Sequence, residues 1–250
     1  MTTMQNILSV IVPAYSEENT ISSVLDELLS HKLIGEIIVI NDASKDRTAE
    51  KVKNYLVNTK IKYFEHSINK GKGAAIRKGF DEATLPIVII QDADLEYSPS
   101  DFQSMLAPIL SGKADVVYGS RFQGGPGRVL YFKHSLGNKF ITFISNILTD
   151  LNFTDIETCY KAFKREIIQN IIFESDRFGI EVEITAKISK AKILRIFEVP
   201  ISYNGRTYAE GKKITWKDGV AAIWHMLKFS FFRNPSSYFK KPWNSITNKA

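Results

Sequence analysis

Val88-Ile89-Ile90-Gln91-Asp92-Ala93-Asp94-Leu95-Glu96 sets a run of β-branched residues in front of three carboxylates. Side chains alternate across a strand, so Asp92 and Asp94 are expected on one face at the strand's end, and a turn after Asp94 brings Glu96 round to join them. Three hard oxygen donors at one point suit Mg²⁺ or Mn²⁺, cations that prefer carboxylate and water and normally also bind substrate phosphates. A lone Asp-x-Asp is more often a solvated acidic turn closing a buried strand. Its weight here comes from the surrounding sequence.

Upstream, Ile7 to Val12 and Glu36 to Ile40 read as buried strands, with an apolar-periodic helix from about Glu18 to Leu29 between them. That β-α-β unit implies parallel strands. The pattern continues through a helix near Thr48 to Leu56, a strand Ile61 to Phe64, a helix Gly73 to Ala83, the strand Ile87 to Ile90, a helix Ser100 to Leu110 and a strand Ala114 to Tyr118. Ligands on such sheets bind at the carboxyl ends of the strands. Pro13 to Glu18, Asn41 to Asp46 and the Asp92/Asp94 pair all fall on that rim. The place of a dinucleotide Gly-x-Gly-x-x-Gly is taken by Pro13 and Glu17, which argues against an NAD-type enzyme. Gly71-Lys72-Gly73 opens the third helix, where glycines permit tight turning and close backbone approach to a ligand.

At 250 residues, 44% hydrophobic and 24% charged, the chain suits one large globular domain or a domain with an appendage. The apolar run Ile7 to Val12 is too short for a signal core or a membrane span, so a cytoplasmic protein is expected. The single cysteine, Cys159, excludes an internal disulfide, and four scattered histidines do not suggest a zinc site. A formal charge of +6 favours a nucleotide, a phosphorylated substrate or an acidic membrane surface. No nucleic acid partner is expected.

Five blocks, in order, resemble glycosyltransferase family 2: Val10 to Glu18, Ile40 to Thr48, Asn69-Lys70-Gly71-Lys72-Gly73, Asp92-Ala93-Asp94 and Gly119-Ser120-Arg121. The branch they resemble is the dolichol-phosphate mannose or glucose synthase group, and the likeness covers about the first 215 residues. It implies the GT-A fold: α/β, Rossmann-like, with a mixed, mostly parallel sheet flanked by helices. This catalytic domain would span 1–215, with a C-terminal amphipathic helical tail over 216–250. Two positions depart from the family pattern. Asn41-Asp42-Ala43-Ser44 replaces the commoner Asp-Asp-Gly-Ser, and Glu96 replaces a glutamine.

The resemblance implies that Pro13, Tyr15, Glu17, Asp42, Lys70, Asp92 and Ala93 hold a nucleotide-sugar donor, with Asp92, Asp94 and Glu96 facing its diphosphate through Mg²⁺ or Mn²⁺. Tyr15 is equally readable as core packing. Asp94 is the first choice as ligand. The closing segment Arg206 to Lys213, with Arg206, Lys212 and Lys213, would fold over the donor, solvated charge being the alternative reading. Phe122 to Arg128 reads as a mobile, glycine-rich acceptor loop. Arg121, Arg128 and Lys133 offer cations to a polyprenyl phosphate acceptor; each arginine is also readable as an ordinary surface charge. Glu157, in Asp155-Ile156-Glu157-Thr158-Cys159, either orients the acceptor or acts as base, or is a salt-bridged acid. Asp94, Arg121 and Glu157 are thus the candidate catalytic residues, and Cys159 reads as a small buried residue.

Tyr131 to Leu148 reads as a helix whose stripe Leu136, Phe140, Ile141, Phe143, Ile144 and Ile147 is expected to pack mostly into the core. A strand, Ile193 to Val199, follows a helix opened by Phe178 to Glu183. The tail, Trp216 to Trp243, is aromatic and lysine-bearing, and is readable as an interfacial helix or as packing on the domain or another subunit of a homo-oligomer. The expected function is a metal-dependent inverting transfer of a sugar from a GDP-mannose- or UDP-glucose-type donor to polyprenyl phosphate at a membrane's inner face. A saccharide hydroxyl acceptor in cell-surface glycan synthesis, or a non-catalytic nucleotide-sugar-binding module, are the alternatives.

Overall fold

The computed structural model describes residues 6–129, 131–207, 210, 216–232 and 234–242. The chain runs β1 (Leu8–Ala14), α1 (Ile21–Ser30), β2 (Ile34–Asn41), α2 (Thr48–Lys53), β3 (Ile61–Glu65), α3 (Lys72–Glu82), β4 (Ile87–Ile90), α4 (Phe102–Leu110), β5 (Val116–Ser120) and α5 (Phe132–Thr149). It continues through β6 (Lys161–Lys164), α6 (Arg165–Asn170), α7 (Ile180–Ile188), β7 (Ile196–Pro200) and α8 (Trp216–Phe231). One sheet has the order β3-β2-β1-β4-β6-β5-β7. Strands β3, β2, β1 and β4 are mutually parallel, β6 runs antiparallel to both neighbours, and β7 is parallel to β5. The central strands are apolar almost throughout because helices cover both faces, as parallel sheets require.

Helix α1 buries Ile21, Val24, Leu25 and Leu28, the i, i+3, i+4, i+7 stripe of an amphipathic helix. Helix α3 lies closer to the sheet: a Cβ on Gly79 would stand 2.3 Å from Ile11 Cγ2. Helix α7 is buried at all nine positions. It carries Glu181, Glu183 and Lys187 inside the protein, so each must find a partner there.

Strand β6 corrects the sequence reading of this region, which placed no strand between the Asp155 block and the following helix. Lys-Ala-Phe-Lys is too short and too charged at its ends to show a strand period. Its insertion separates β4 from β5, and Lys161, fully buried, becomes part of the interior.

The stripe on α5 is a second correction. Ile141 is buried, but Phe132, Leu136, Phe140, Phe143 and Ile147 are 53–78% exposed. The helix packs against α7 and α8 through its other side, around Ile141, Thr142 and Ser145. Helix α8 seats Ala222, Met226 and Phe229 inward and leaves Val220, Trp224 and Phe231 exposed. Beyond it, the Tyr238 hydroxyl donates to the Phe229 carbonyl, and Lys240 N–H and Lys241 N–H donate to Asn170. Among the described residues, no helix is long and apolar enough to cross a membrane.

Candidate active site

Strand β4 stops at Ile90, so Asp92 and Asp94 stand on the turn beyond it and strand alternation does not set their directions. The turn needs a left-handed residue, Leu95 at φ 61°, and it spreads the acids. Asp92 turns to α3, where Lys72 Nζ lies 2.8 Å from its Oδ1. Asp94 turns the other way, its Oδ2 2.8 Å from Arg206 Nη2. Glu96 closes the turn by accepting the Tyr203 hydroxyl on Oε2 and the Arg206 N–H on Oε1, each at 2.8 Å. From the end of β1, Glu17 Oε2 reaches Arg206 Nη1 at 3.2 Å.

Four carboxylates from two rim segments therefore surround two cations. Glu17, Asp94 and Glu96 side chains are only 12–15% exposed, unlike a solvated acidic turn. Burial first, then the charges of Asp92 and Glu96, raises the Asp94 carboxyl to about 7 against the pull of Arg206. Among the described residues, no three carboxylates converge closely enough to hold an ion in this arrangement, because Lys72 draws Asp92 aside and a guanidinium stands among the other three. The donor chemistry still fits Mg²⁺ or Mn²⁺: hard oxygens already gathered about positive charge.

The residues expected to hold a nucleotide are tied down more tightly than their sequence suggests. Asp42 is buried, with Oδ1 accepting from Lys70 N–H at 2.9 Å, Oδ2 from Gly71 N–H at 2.7 Å, and His66 Nδ1 2.7 Å away. Asn41 donates to Glu65 Oε1 at 3.0 Å and to the Tyr63 hydroxyl. An aspartate at 41 would confront Glu65, which accounts physically for this departure from the family pattern. Pro13 and Tyr15 are half-buried at the end of β1, Ala93 is buried with its carbonyl held by Thr20, and the Lys70 side chain is exposed. The glycines at the start of α3 make a close approach, but to protein: Cβ atoms on Gly71 and Gly73 would each lie 2.4 Å from a carbonyl oxygen, of Asp176 and Ser175 respectively.

Among the residues expected to meet an acceptor, Arg121 forks onto Asp155, with Nε to Oδ2 at 2.6 Å and Nη2 to Oδ1 at 2.8 Å, and lies over the Tyr203 ring. The glycine-rich loop expected to be mobile is bonded to the β7 extension at its Pro126 to Arg128 end. Tyr203 N–H donates to the Pro126 carbonyl and Arg128 N–H to the Tyr203 carbonyl, each at 2.9 Å. A Cβ on Gly125 would lie 2.0 Å from the Ile201 carbonyl, so close packing is what requires this glycine. Arg128 is paired with Glu210, Nη1 to Oε2 at 2.9 Å. Lys133 is exposed in the first turn of α5. Lys212 and Lys213 lie outside the described residues. A cavity of about 330 Å³ separates the Glu96 turn from this loop, lined among others by Ser98, Arg128, Tyr203 and Asn204.

Glu157 is half-buried, with its Oε1 shut away from solvent and unpartnered. Burial, then the charge of Glu181, pushes its carboxyl from 4.5 up to about 7, against Lys161 and Arg121. Its raised value means the folded protein holds this proton more tightly than the unfolded chain. The associated stability is full below pH 4.5 and is lost as pH rises through 7, about 3 kcal/mol from this group. Glu157→Gln is expected to flatten that slope, measured as denaturant unfolding free energy at pH 5 and pH 8; an unchanged slope would refute the assignment. Cys159 is buried as read, its thiol pushed well up, mainly by burial.

The sequence reading missed Lys72, Lys161 and Glu181 as site residues. Glu181, on α7, links Lys161 at 2.7 Å and Lys72 at 3.4 Å. Lys72 sits within the Gly-Lys-Gly block and carried a signal; Glu181, about ninety residues beyond the Asp pair in sequence, carried none.

The sheet order, its reversed strand and the acidic turn at the carboxyl rim define a glycosyltransferase of the GT-A fold. The model of glycosyl transferase family 2 matches residues 9–172, more than half the chain, and the protein belongs to that family. Among curated relatives it is 28% identical to a dolichol-phosphate mannosyltransferase of Pyrococcus furiosus over 213 residues, covering 82% of this chain and 58% of that protein. It is 28% identical to a UDP-N-acetylglucosamine–dolichyl-phosphate N-acetylglucosaminyltransferase of Methanococcus voltae, covering 83% of this chain and 90% of the relative. The chain thus spans less than two thirds of the first relative's length. Crystal structures of Mycobacterium tuberculosis glucosyl-3-phosphoglycerate synthase, one with Mn²⁺, UDP and glucosyl-3-phosphoglycerate, share the fold at TM-score 0.71 and 19% identity, covering 92% of this chain and 81% of that one.

Proposed function

We propose that the protein is an inverting glycosyltransferase that moves one sugar from a nucleoside-diphosphate donor to a polyprenyl phosphate at a membrane surface. The observation that carries this reading is the half-buried gathering of Glu17, Asp92, Asp94 and Glu96 with Lys72 and Arg206 at the carboxyl rim. Asp94 and Glu96 are the residues that would hold Mg²⁺ or Mn²⁺, which would supply counter-charge for the departing diphosphate. Arg206 adds a guanidinium beside the same oxygens, which is strongest where negative charge develops. An acceptor phosphate oxygen forms the new bond to the anomeric carbon. The old carbon–oxygen bond breaks with its electron pair passing to the diphosphate.

A phosphate monoester, with a second pKa of about 6, is already largely dianionic near neutrality and needs no base. Glu157, its carboxyl raised to about 7, is accordingly not required as a proton acceptor. Arg121 and Arg128 lie on the acceptor side as the cations for that phosphate. Thermal-shift measurement with GDP- and UDP-sugars, with and without Mn²⁺, followed by a transfer assay with a short polyprenyl phosphate, tests the reading. No stabilisation by any donor would refute it. In the same assay Glu157→Gln should lower kcat less than about tenfold, whereas a loss of about a thousandfold or more would point to a hydroxyl acceptor and a Glu157 base.

Membrane contact is proposed through α5 and the outward side of α8. The exposed stripe of α5 lies beside Lys133 and Lys139, and the helix contains no acid. It begins directly after the loop that carries Arg128, so a lipid acceptor's chain would lie along the surface the helix rests on. Co-sedimentation with anionic vesicles is expected, weaker at high salt. Replacing Phe140 and Phe143 together by Ser should lower it at least about tenfold, since each Phe taken from water contributes about 1.5–3 kcal/mol. Unchanged binding would remove this surface from the proposal.

A further inference from the structure

A further carboxylate stands at the β3 end of the same rim. Glu65 is the last residue of β3 and pairs in register with Asn41, the last residue of β2. Its Oε1 accepts from Asn41 Nδ2 at 3.0 Å and its Oε2 from the Tyr63 hydroxyl at 2.9 Å. Burial pushes the Tyr63 phenol up to about 12, so it stays protonated and remains a donor. These two bonds fix the direction of the carboxylate while its side chain stays 42% exposed, and Lys53 Nζ lies 3.7 Å from Oε2. A carboxylate has about four lone-pair sites, so each oxygen keeps one for a ligand.

We propose that Glu65, with Lys53 beside it, reads the Watson–Crick edge of the donor's base and selects a guanine over a uracil nucleotide. The proposal rests on the donor-site reading above, which puts the diphosphate at the acid turn beyond β4 and the nucleoside near Asp42 at the end of β2. In the sheet order β3-β2-β1-β4 the two ends of this rim are three strand spacings apart, about 14 Å. An extended nucleoside diphosphate reaches across such a span. With its diphosphate over β4 and its ribose passing β1 and β2, the donor brings its base to the edge between β2 and β3, where Glu65 stands.

Guanine presents on that edge a carbonyl, O6, and two adjacent donors, N1–H and the N2 amino group. A carboxylate accepts two parallel N–H bonds at once, as it does from the fork of an arginine, and an ammonium beside it meets O6. Uracil presents a single donor, N3–H, between two carbonyls. The second carboxylate oxygen would then face a carbonyl oxygen, a repulsion that discriminates against this base. Asn41 does not compete for the edge. Its amide oxygen accepts from the Ser44 N–H and hydroxyl, and its nitrogen donates to the Tyr63 hydroxyl and to Glu65.

Calorimetric titration of the full chain with GDP, IDP and UDP, each with Mn²⁺, tests the assignment. Inosine lacks only the N2 amino group of guanosine, so the wild type should bind GDP about tenfold tighter than IDP, and UDP more weakly than GDP. Glu65→Gln, which keeps one acceptor oxygen but turns the other into a donor, should bring GDP and IDP to the same affinity. Lys53→Met should weaken both by a similar factor, because O6 is common to them. A wild type that binds UDP as tightly as GDP, or a Glu65→Gln protein that keeps the wild-type ratio of GDP to IDP affinity, would overturn the assignment and leave the donor-site reading standing. Failure of the wild type to bind any of the three would instead remove the donor-site reading, and the base assignment with it.

Discussion

Asp94→Asn is expected to lose transfer activity by at least about two to three orders of magnitude, the scale seen when one group that stabilises developing charge is removed, while keeping its fold. The substitution is nearly isosteric and removes the carboxylate oxygen that faces Arg206 at 2.8 Å. Its effect on stability has the opposite sign. The Asp94 carboxyl is raised to about 7, first by burial and then by Asp92 and Glu96, so its ionised form weighs against the folded state. The stability linked to its proton is lost as pH rises through 7. At pH 8 the asparagine variant should therefore unfold at no lower a temperature than the wild type. Initial rates and thermal unfolding on the same preparation check both halves. Full activity in Asp94→Asn, or equal wild-type rates in EDTA and in Mn²⁺, would sink the metal-dependent reading.

Arg121→Ala is expected to destabilise the protein by about 3–5 kcal/mol, the usual consequence of stranding a buried charge. Asp155 is fully buried and receives three bonds from Arg121: its N–H, Nε and Nη2. With the guanidinium gone, that carboxylate has lost its ionic partner in the interior. For a chain of this size the melting temperature should fall by roughly 6–20 °C. The paired variant Arg121→Met with Asp155→Leu should recover much of the loss, because a hydrophobic replacement of a buried pair is often neutral. Calorimetric unfolding distinguishes the outcomes: a stable Arg121→Ala protein that is merely inactive would show that Arg121 serves the acceptor alone and that Asp155 finds another partner.

The acids of the site were readable because their local spacing is itself chemical information: Asp92, Asp94 and Glu96 cannot be far apart on any turn. Their partners were not. Lys72 was visible only as the centre of a glycine block, and Arg206 only as one cation in a basic closing segment. That Glu96 receives Tyr203 and Arg206, rather than standing beside Asp94 toward one ion, depends on a contact across about 110 positions of sequence. No local pattern encodes such a pairing.

The parallel half of the sheet, the helices between its strands and the rim that carries Glu17, Asp42 and Asp94 follow from the chain itself, since apolar runs and periods of 3.6 are properties of neighbouring residues. The antiparallel β6 does not, because four residues with lysines at both ends pair only where β4 and β5 leave them a place. Nor does the direction of the α5 stripe. A period of apolar residues says that a helix has an apolar side, and only the packing of α7 and α8 against Ile141 and Ser145 leaves Phe140 and Phe143 turned outward.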